Sequence, residues 1–483
     1  MTQLRRSIAW SSAQSYLGTA LQLVSTVVLS RVLTPTEVGT FAVAAVFSAL
    51  ASNFRDFGIA EYLIQEKNLG ERQIRAAFAV NIGVSWLMAL LLLAGSGVAG
   101  GFYREDEVGA VMGIQALSFL LIPFGAINMA WFRREMNFKP MFVAGVLADV
   151  AGLVVAITLA LQGFGASSLA WASVAGVVAT VAVSLWFRPP GFPRWPALRG
   201  LREVLTFGGY ASGIYVLGQL GKGMPEMVIG RVQDVTAVGI YSRGSGLVQL
   251  FRQLVVRGIM PVCLPYFARS VREEGNVNRA YTRGVAILTA VGWTFLGFLA
   301  ISAQPAILLV YGDQWGAAVP LAQVLCLAAA VELVHYLAKE ALLSHGEVRR
   351  ASRLQLELQS VQLAGLLAGL PFGLIGACWG LLAGQIVGLW LSQRALQATT
   401  GLRSLDVLAA CRPSLLLAGL ALLPQSALLL IDASTPRQEL LWMFVGGILT
   451  AGAWLAAMHR LQHPLWFELS NMLGPAMARL RRR

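Results

Sequence analysis

Charge is scarce in this chain: only 13% of its 483 residues are Asp, Glu, Lys or Arg, against 57% hydrophobic. An ordinary soluble domain carries about 25% charged residues, so a soluble fold is excluded. Cysteine is also scarce. Cys263, Cys326, Cys378 and Cys411 lie far apart with no CxxC pair, which suggests neither a disulfide framework nor a thiolate metal site. A Walker A sequence is absent, so the protein does not consume nucleotide itself. HExxH and GxSxG are absent too, which makes an enzyme the weaker class, and no cofactor is called for. No segment between apolar runs exceeds roughly 20 residues, too short to hide a soluble domain in a loop.

What is present is a succession of apolar stretches of roughly 20 residues, the length that crosses bilayer hydrocarbon. They fall at 8–33, 37–64, 75–99, 108–130, 140–162, 166–187, 204–230, 236–264, 281–303, 317–343, 351–371, 375–397, 409–431 and 438–459. The fold class is therefore an all-α polytopic membrane protein of about fourteen transmembrane helices. The N-terminal MTQLRR runs straight into a helix carrying Ser11, Ser12, Gln14 and Ser15, and reads as a retained first span rather than a cleaved signal. The net charge of +13 does not point to nucleic acid. With the N-terminus inside, one set of short loops holds Arg72, Arg75, Arg133, Arg134, Arg188, Arg202, Arg349, Arg350 and the Arg481–Arg483 tail. The opposite set holds little beyond Arg31, Arg104, Arg231 and Arg437. That asymmetry places both termini in the cytoplasm.

The chain also repeats itself. Shifted by two hundred residues without a gap, Ser12 falls on Ser212, Arg31 on Arg231, Thr36 on Thr236, Gly39 on Gly239 and Gly58 on Gly258. About a dozen identities over roughly 48 positions indicate a duplicated structural unit. The expected organisation is a six-helix bundle over 1–187, a Pro- and Arg-rich cytoplasmic linker over 188–202 and a second six-helix bundle over 203–400. A helix pair over 401–460 and a basic cytoplasmic tail over 461–483 follow.

Polar residues inside the spans form stripes. Ser11, Ser15, Thr19, Gln22, Thr26 and Ser30 share one face of the first helix, and Tyr215, Gln219, Lys222 and Glu226 share the equivalent face in the second copy. Arg55 and Asp56 end the second span, and Gln249 and Arg252 lie in its counterpart. Polar groups facing hydrocarbon are costly, so such stripes fit an aqueous cavity. The hydroxyls equally fit helix–helix hydrogen bonding, and Lys222 with Glu226, four residues apart, equally fits an ion pair. Glu332, His335 and Lys339 lie on one face of the tenth span, as a proton relay or as a self-neutralising set. Pro225, beside Lys222 and Glu226, is a candidate hinge.

The stretch SRVLTPTEVGTFAVAAVFSALASNFRDFGIAEYLIQEKNL resembles bacterial polysaccharide and O-antigen flippases of the Wzx type, within the multidrug/oligosaccharidyl-lipid/polysaccharide exporter superfamily. The resemblance is carried by Arg31, Leu33, Thr34, Pro35, Val38 and Gly39, then Asp56, Phe57, Gly58, Leu63, Ile64 and Gln65, and again by Ile229-Gly230-Arg231 through Val238-Gly239-Ile240-Tyr241. It departs at Gln233-Asp234-Val235, where the family's turn is Leu-Gly-Pro-like. It implies a V of two bundles in the bacterial inner membrane that moves a polyprenyl-diphosphate-linked oligosaccharide outward by alternating access, for lipopolysaccharide, capsule or exopolysaccharide synthesis. Partners would be that lipid, membrane lipids, and the pathway's polymerase and glycosyltransferases. On that reading Lys222, Arg252 and Arg55 suit the diphosphate, with Gln22, Gln219 and Gln249 toward the sugar. Glu332, His335, Lys339, Glu226 and Asp56 are the candidates for ion coupling. The alternatives are a peptidoglycan-precursor (lipid II) flippase, a multidrug or cation antiporter and, further off, a membrane glycan polymerase or ligase.

Overall fold

The computed structural model describes residues 2–56, 59–66, 69–193, 195–198, 223–256, 277–428 and 435–468, with isolated positions 201, 221, 267, 269, 431 and 470. No strand occurs among them. Contacts divide the chain into two units, Met1–Ile240 and Tyr241–Arg483.

The first unit runs α1 (Thr2–Val32), α2 (Pro35–Asp56), α3 (Ile59–Gln65), α4 (Glu71–Tyr103), α5 (Asp106–Leu121), α6 (Pro123–Arg134), α7 (Phe138–Leu161), α8 (Ala166–Trp186) and α9 (223–232). It ends in the first residues of α10 (Val235–Phe251). Pro123 has no amide hydrogen to continue the helical ladder, and α5 and α6 meet there in a 54° bend.

The starts of α2 and α10 are the repeat-equivalent turns, and their capping shows how the second copy tolerates its altered sequence. At α2, Glu37 Oε2 accepts from the Thr34 N–H at 2.7 Å and from its hydroxyl at 2.9 Å, and the Glu37 N–H returns a bond to Thr34 Oγ1 at 3.3 Å. This is a capping box. At α10 the same work falls to Asp234, whose Oδ1 accepts from the Ala237 N–H at 2.7 Å. The departure at Gln233-Asp234-Val235 therefore exchanges one helix cap for another. The two helix starts also cross. The hydroxyls of Thr36 and Thr236 lie 2.9 Å apart, a Cβ on Gly39 would fall on the Val235 carbonyl, and one on Gly239 would fall on that of Pro35.

The linker after α8 lies against this unit. Phe192 is buried in a cluster with Ile74, Phe78, Ile127 and Ala130 and meets Trp131 edge-on, ring centres 5.3 Å apart. Arg75 Nε donates to the Trp195 carbonyl at 3.1 Å, and the Ala197 N–H donates to the Arg75 carbonyl at 3.1 Å. Pro189, Pro190, Pro193 and Pro196 limit the conformations available to the segment before it docks.

In the second unit α10 passes into a π-helical turn, Arg252–Val256. There follow α11 (Val277–Ile301), α12 (Ala303–Tyr311), α13 (Ala318–His335), α14 (Ala338–Ser344), α15 (Val348–Gly369), α16 (Gly373–Thr400), α17 (Ser404–Leu428) and α18 (Pro436–Arg460). Helices α15 and α16 form a hairpin whose two backbones nearly touch. A Cβ on Gly365 would fall on the Gly380 carbonyl, and one on Gly369 on that of Gly376. Small residues four apart bring membrane helices this close. The turn between them needs Gly373 at φ +81°, where a side chain is strained.

Beyond α18 the fully buried His463 accepts from the Leu465 N–H at Nδ1, 3.2 Å away. Its other nitrogen, 3.1 Å from Ser414 Oγ, therefore carries the proton, and Ser414 passes a bond on to the Ala286 carbonyl at 2.9 Å. Burial pushes the His463 pKa below the ordinary value, in keeping with this neutral ring. Glu468 pairs with Arg283 at 2.7 Å, so the segment after α18 is tied to α11 directly through Glu468 and to α17 through His463.

Among the described residues nine helices are long and apolar enough to cross a membrane, or ten if the bent α5–α6 pair counts as one span. One of the nine, Val348–Thr400, contains the α15–α16 hairpin turn. The chain is thus a multi-pass membrane protein. The expected count of fourteen also rests on residues 204–220 and 257–266, which are largely outside the described residues.

Candidate functional site

In the first unit the polar stripe of α1 is open along part of its length. Gln22 and Ser15 are exposed, Thr19 and Thr26 half-buried and Ser30 buried. Thr19 Oγ1 bonds back to the Ser15 carbonyl at 2.8 Å, which satisfies that hydroxyl within its own helix. Arg55 is half-buried, with its guanidinium 5.8 Å from the centre of the Phe119 ring. Asp56 closes α2. Glu226, on α9, has Oε2 buried with no hydrogen-bond partner among the described residues. Lys222, Gln219 and Tyr215 lie outside the described residues, so the Lys222–Glu226 spacing has no geometry to report.

The second unit brings together two residues that the sequence places 80 positions and two spans apart. Arg252 Nη2 donates to Glu332 Oε2 at 2.7 Å. Apolar neighbours on each helix produce this meeting. Phe251, immediately before Arg252, and Leu333, immediately after Glu332, converge on Gly292 of α11. A Cβ there would fall on Leu333 Cδ1 and lie 3.0 Å from Phe251 Cζ. Phe251 also stacks on Phe295 at 5.5 Å, and Trp293 Nε1 donates to the Ala330 carbonyl at 2.9 Å. With both anchors fixed on α11, the adjoining charged side chains point at each other along the edge of that contact. Arg252 begins the π-helical turn, a local widening of the helix that recurs at functional sites.

The two partners are unequally covered: the Arg252 side chain is 46% exposed and that of Glu332 19%. The carboxylate is held, while the guanidinium keeps N–H groups turned outward. Gln249, three residues earlier, is exposed as well.

Glu332, His335 and Lys339 all lie within the candidate span Ala318–Ser344, and their surroundings differ. Helix α13 ends at His335 and a new helix starts at Ala338, because Tyr336 and Leu337 interrupt the ladder. His335 is buried beside Gly388 of α16, Lys339 is exposed beyond the break, and Glu332 is engaged by Arg252 instead.

One cation escaped the sequence reading. Arg243 on α10 lies between Tyr311 and Trp315, its guanidinium 5.3 Å and 5.1 Å from the two ring centres, with Nε buried and without a hydrogen-bond partner among the described residues. The stacking is that of a cation on aromatic faces. A signal existed in the repeat: position 243 corresponds to Val43, buried in the first copy, so the second copy carries an arginine where the first has a core residue.

Known proteins bear on this arrangement at three levels. Over 333 residues the chain is 24% identical to the teichuronic acid biosynthesis protein TuaB of Bacillus subtilis, covering 67% of this chain and 68% of that one. Over 392 residues it is 21% identical to the lipopolysaccharide biosynthesis protein WzxC of Escherichia coli, covering 79% and 78%. Among solved structures it resembles the lipid II flippase MurJ in an inward closed conformation, with TM-score 0.72, 11% identity and coverage of 94% of this chain and 99% of that one. It also resembles an inward-facing multidrug resistance transporter of the MATE family, with TM-score 0.64, 14% identity and coverage of 80% and 95%. At such identities the likeness is one of fold. Residues 28–320, more than half of the chain, match the family described as "Polysaccharide biosynthesis protein", and the chain belongs to that family.

Proposed function

We propose that this protein is a flippase that carries a polyprenyl-diphosphate-linked oligosaccharide across the bacterial cytoplasmic membrane, for the synthesis of a surface polysaccharide. The observation that carries the reading is Arg252. A half-exposed guanidinium against the candidate span Ala318–Ser344, with more N–H donors than the one that Glu332 engages, suits a further anionic ligand in a chain of a polysaccharide biosynthesis family. A lipid-linked diphosphate supplies that anion at membrane depth, and a planar guanidinium matches phosphate oxygens two at a time. Cationic drugs would be repelled by such a site, which disfavours the multidrug reading. A polymerase or ligase acting on the same lipid would need room for a catalytic domain, and the short loops of the sequence leave none.

Depletion of the protein is expected to make one lipid-linked saccharide accumulate on the cytoplasmic face while peptidoglycan synthesis continues. Accumulation of the peptidoglycan precursor instead would overturn the assignment in favour of a lipid II flippase.

The orientation rests on the loop arginines, with both termini cytoplasmic and the Thr34–Glu37 turn outside. Single cysteines at Pro35 and Arg483 should react with a membrane-impermeant reagent from opposite sides. Labelling of both from one side would refute the topology.

A further inference from the structure

We infer that Glu332 is the specificity-determining residue of the Arg252 site: its carboxylate occupies the guanidinium in the absence of substrate and admits only an anion of more than one charge. The inference rests on the flippase reading above and adds to it what the site refuses.

A bare arginine at membrane depth would bind the commonest anion there, the singly charged phosphodiester of bulk phospholipid. Such a site would be filled permanently by lipid that is present in vast excess over any lipid-linked saccharide. The pair at 2.7 Å removes that hazard. A phosphodiester brings the same single negative charge and the same two acceptor oxygens as the carboxylate it would displace, so the exchange gains nothing. A diphosphate diester brings two charges and oxygens on two phosphorus atoms, enough to replace the lost contact and engage further N–H groups of the same planar fork.

The geometry suits a competitor rather than a purely structural pair. Glu332 is anchored through Leu333 at Gly292 and is the better covered partner, whereas Arg252 stands 46% exposed at the start of a π-helical turn. An arriving anion therefore meets the cation first, along the side that the carboxylate leaves open. A carboxylate fixed at that distance sets a threshold without closing the site, and discrimination by an element that opposes the wrong ligand is a general route to specificity.

The test uses the full chain purified in neutral detergent, with farnesyl diphosphate as the multiply charged probe and phosphatidylglycerol as the singly charged one. Wild-type protein is expected to bind the diphosphate in an Arg252-dependent way and to ignore phosphatidylglycerol in excess. In Glu332→Gln, affinity for phosphatidylglycerol should rise by about tenfold or more, with a smaller rise for the diphosphate, so that the ratio between the two probes collapses. Should that variant fail to fold, Glu332→Asp, which withdraws the carboxylate by one methylene, should give an intermediate ratio. A ratio equal to wild type in either folded variant, with Arg252-dependent diphosphate binding intact, overturns the inference and leaves the flippase assignment standing. Absence of Arg252-dependent diphosphate binding in the wild type overturns both.

Discussion

Arg252→Ala is expected to lower transport on the order of a hundredfold, the scale of truncating one partner of a well-formed charge contact, while the protein still reaches the membrane in normal amount. The same change has two separate consequences. Removing the guanidinium takes away the proposed diphosphate contact, and it also strands Glu332, whose carboxylate is the better covered of the two. The stranding costs about 1–3 kcal/mol, because the carboxylate left behind is only 19% exposed. The double variant Arg252→Ala/Glu332→Gln should therefore regain wild-type thermal stability in detergent without regaining transport. Arg252→Lys should retain part of the activity, since it keeps the charge and loses the planar fork. Restoration of surface polysaccharide in a deletion strain reads the transport arm, and thermal unfolding of the purified protein reads the other. If the double variant transports normally, Arg252 serves only to neutralise Glu332, and the diphosphate site lies elsewhere.

The legible and illegible parts of this protein divide along a physical line. Spans were legible because the bilayer demands about 20 apolar residues wherever the chain crosses, and the described helices fall on those stretches. The duplication was legible because it preserved Arg31, Thr36 and Gly39 at Arg231, Thr236 and Gly239. Within one helix, periodicity groups residues over a few turns. It gave no sign of the interruption at Tyr336 and Leu337, which falls between His335 and Lys339 although the hydropathy continues. Nothing in periodicity could join Glu332 to Arg252, because that contact depends on two apolar neighbours and a glycine on a third helix. Arg243 was missed for a related reason. Its partners Tyr311 and Trp315 lie near the turn between two other helices, and only its correspondence to the buried Val43 marked it as unusual.

The duplication has its sharpest mechanical consequence where α2 and α10 cross. Gly39→Ala and Gly239→Ala are each expected to destabilise the described structure by about 3 kcal/mol, the scale at which overpacking forces backbone to move. Each glycine faces a backbone carbonyl of the other helix, Val235 for Gly39 and Pro35 for Gly239, and a carbonyl at a capped helix start has no side-chain rotamer through which to give way. The hydroxyl pair Thr36–Thr236 is a lesser tie, so Thr36→Val should cost about 1 kcal/mol, as for one hydrogen bond. Because the crossing is built from repeat-equivalent residues, the two alanine variants should lose similar amounts. Their combination should lose less than the sum, since one separation of the helices makes room for both methyl groups. Thermal unfolding of the wild type and the four variants in detergent measures all of these differences. Alanine variants that unfold with the wild type, or losses that add in full, would show that the two glycines do not share one contact, and the crossing would then be no more than incidental proximity.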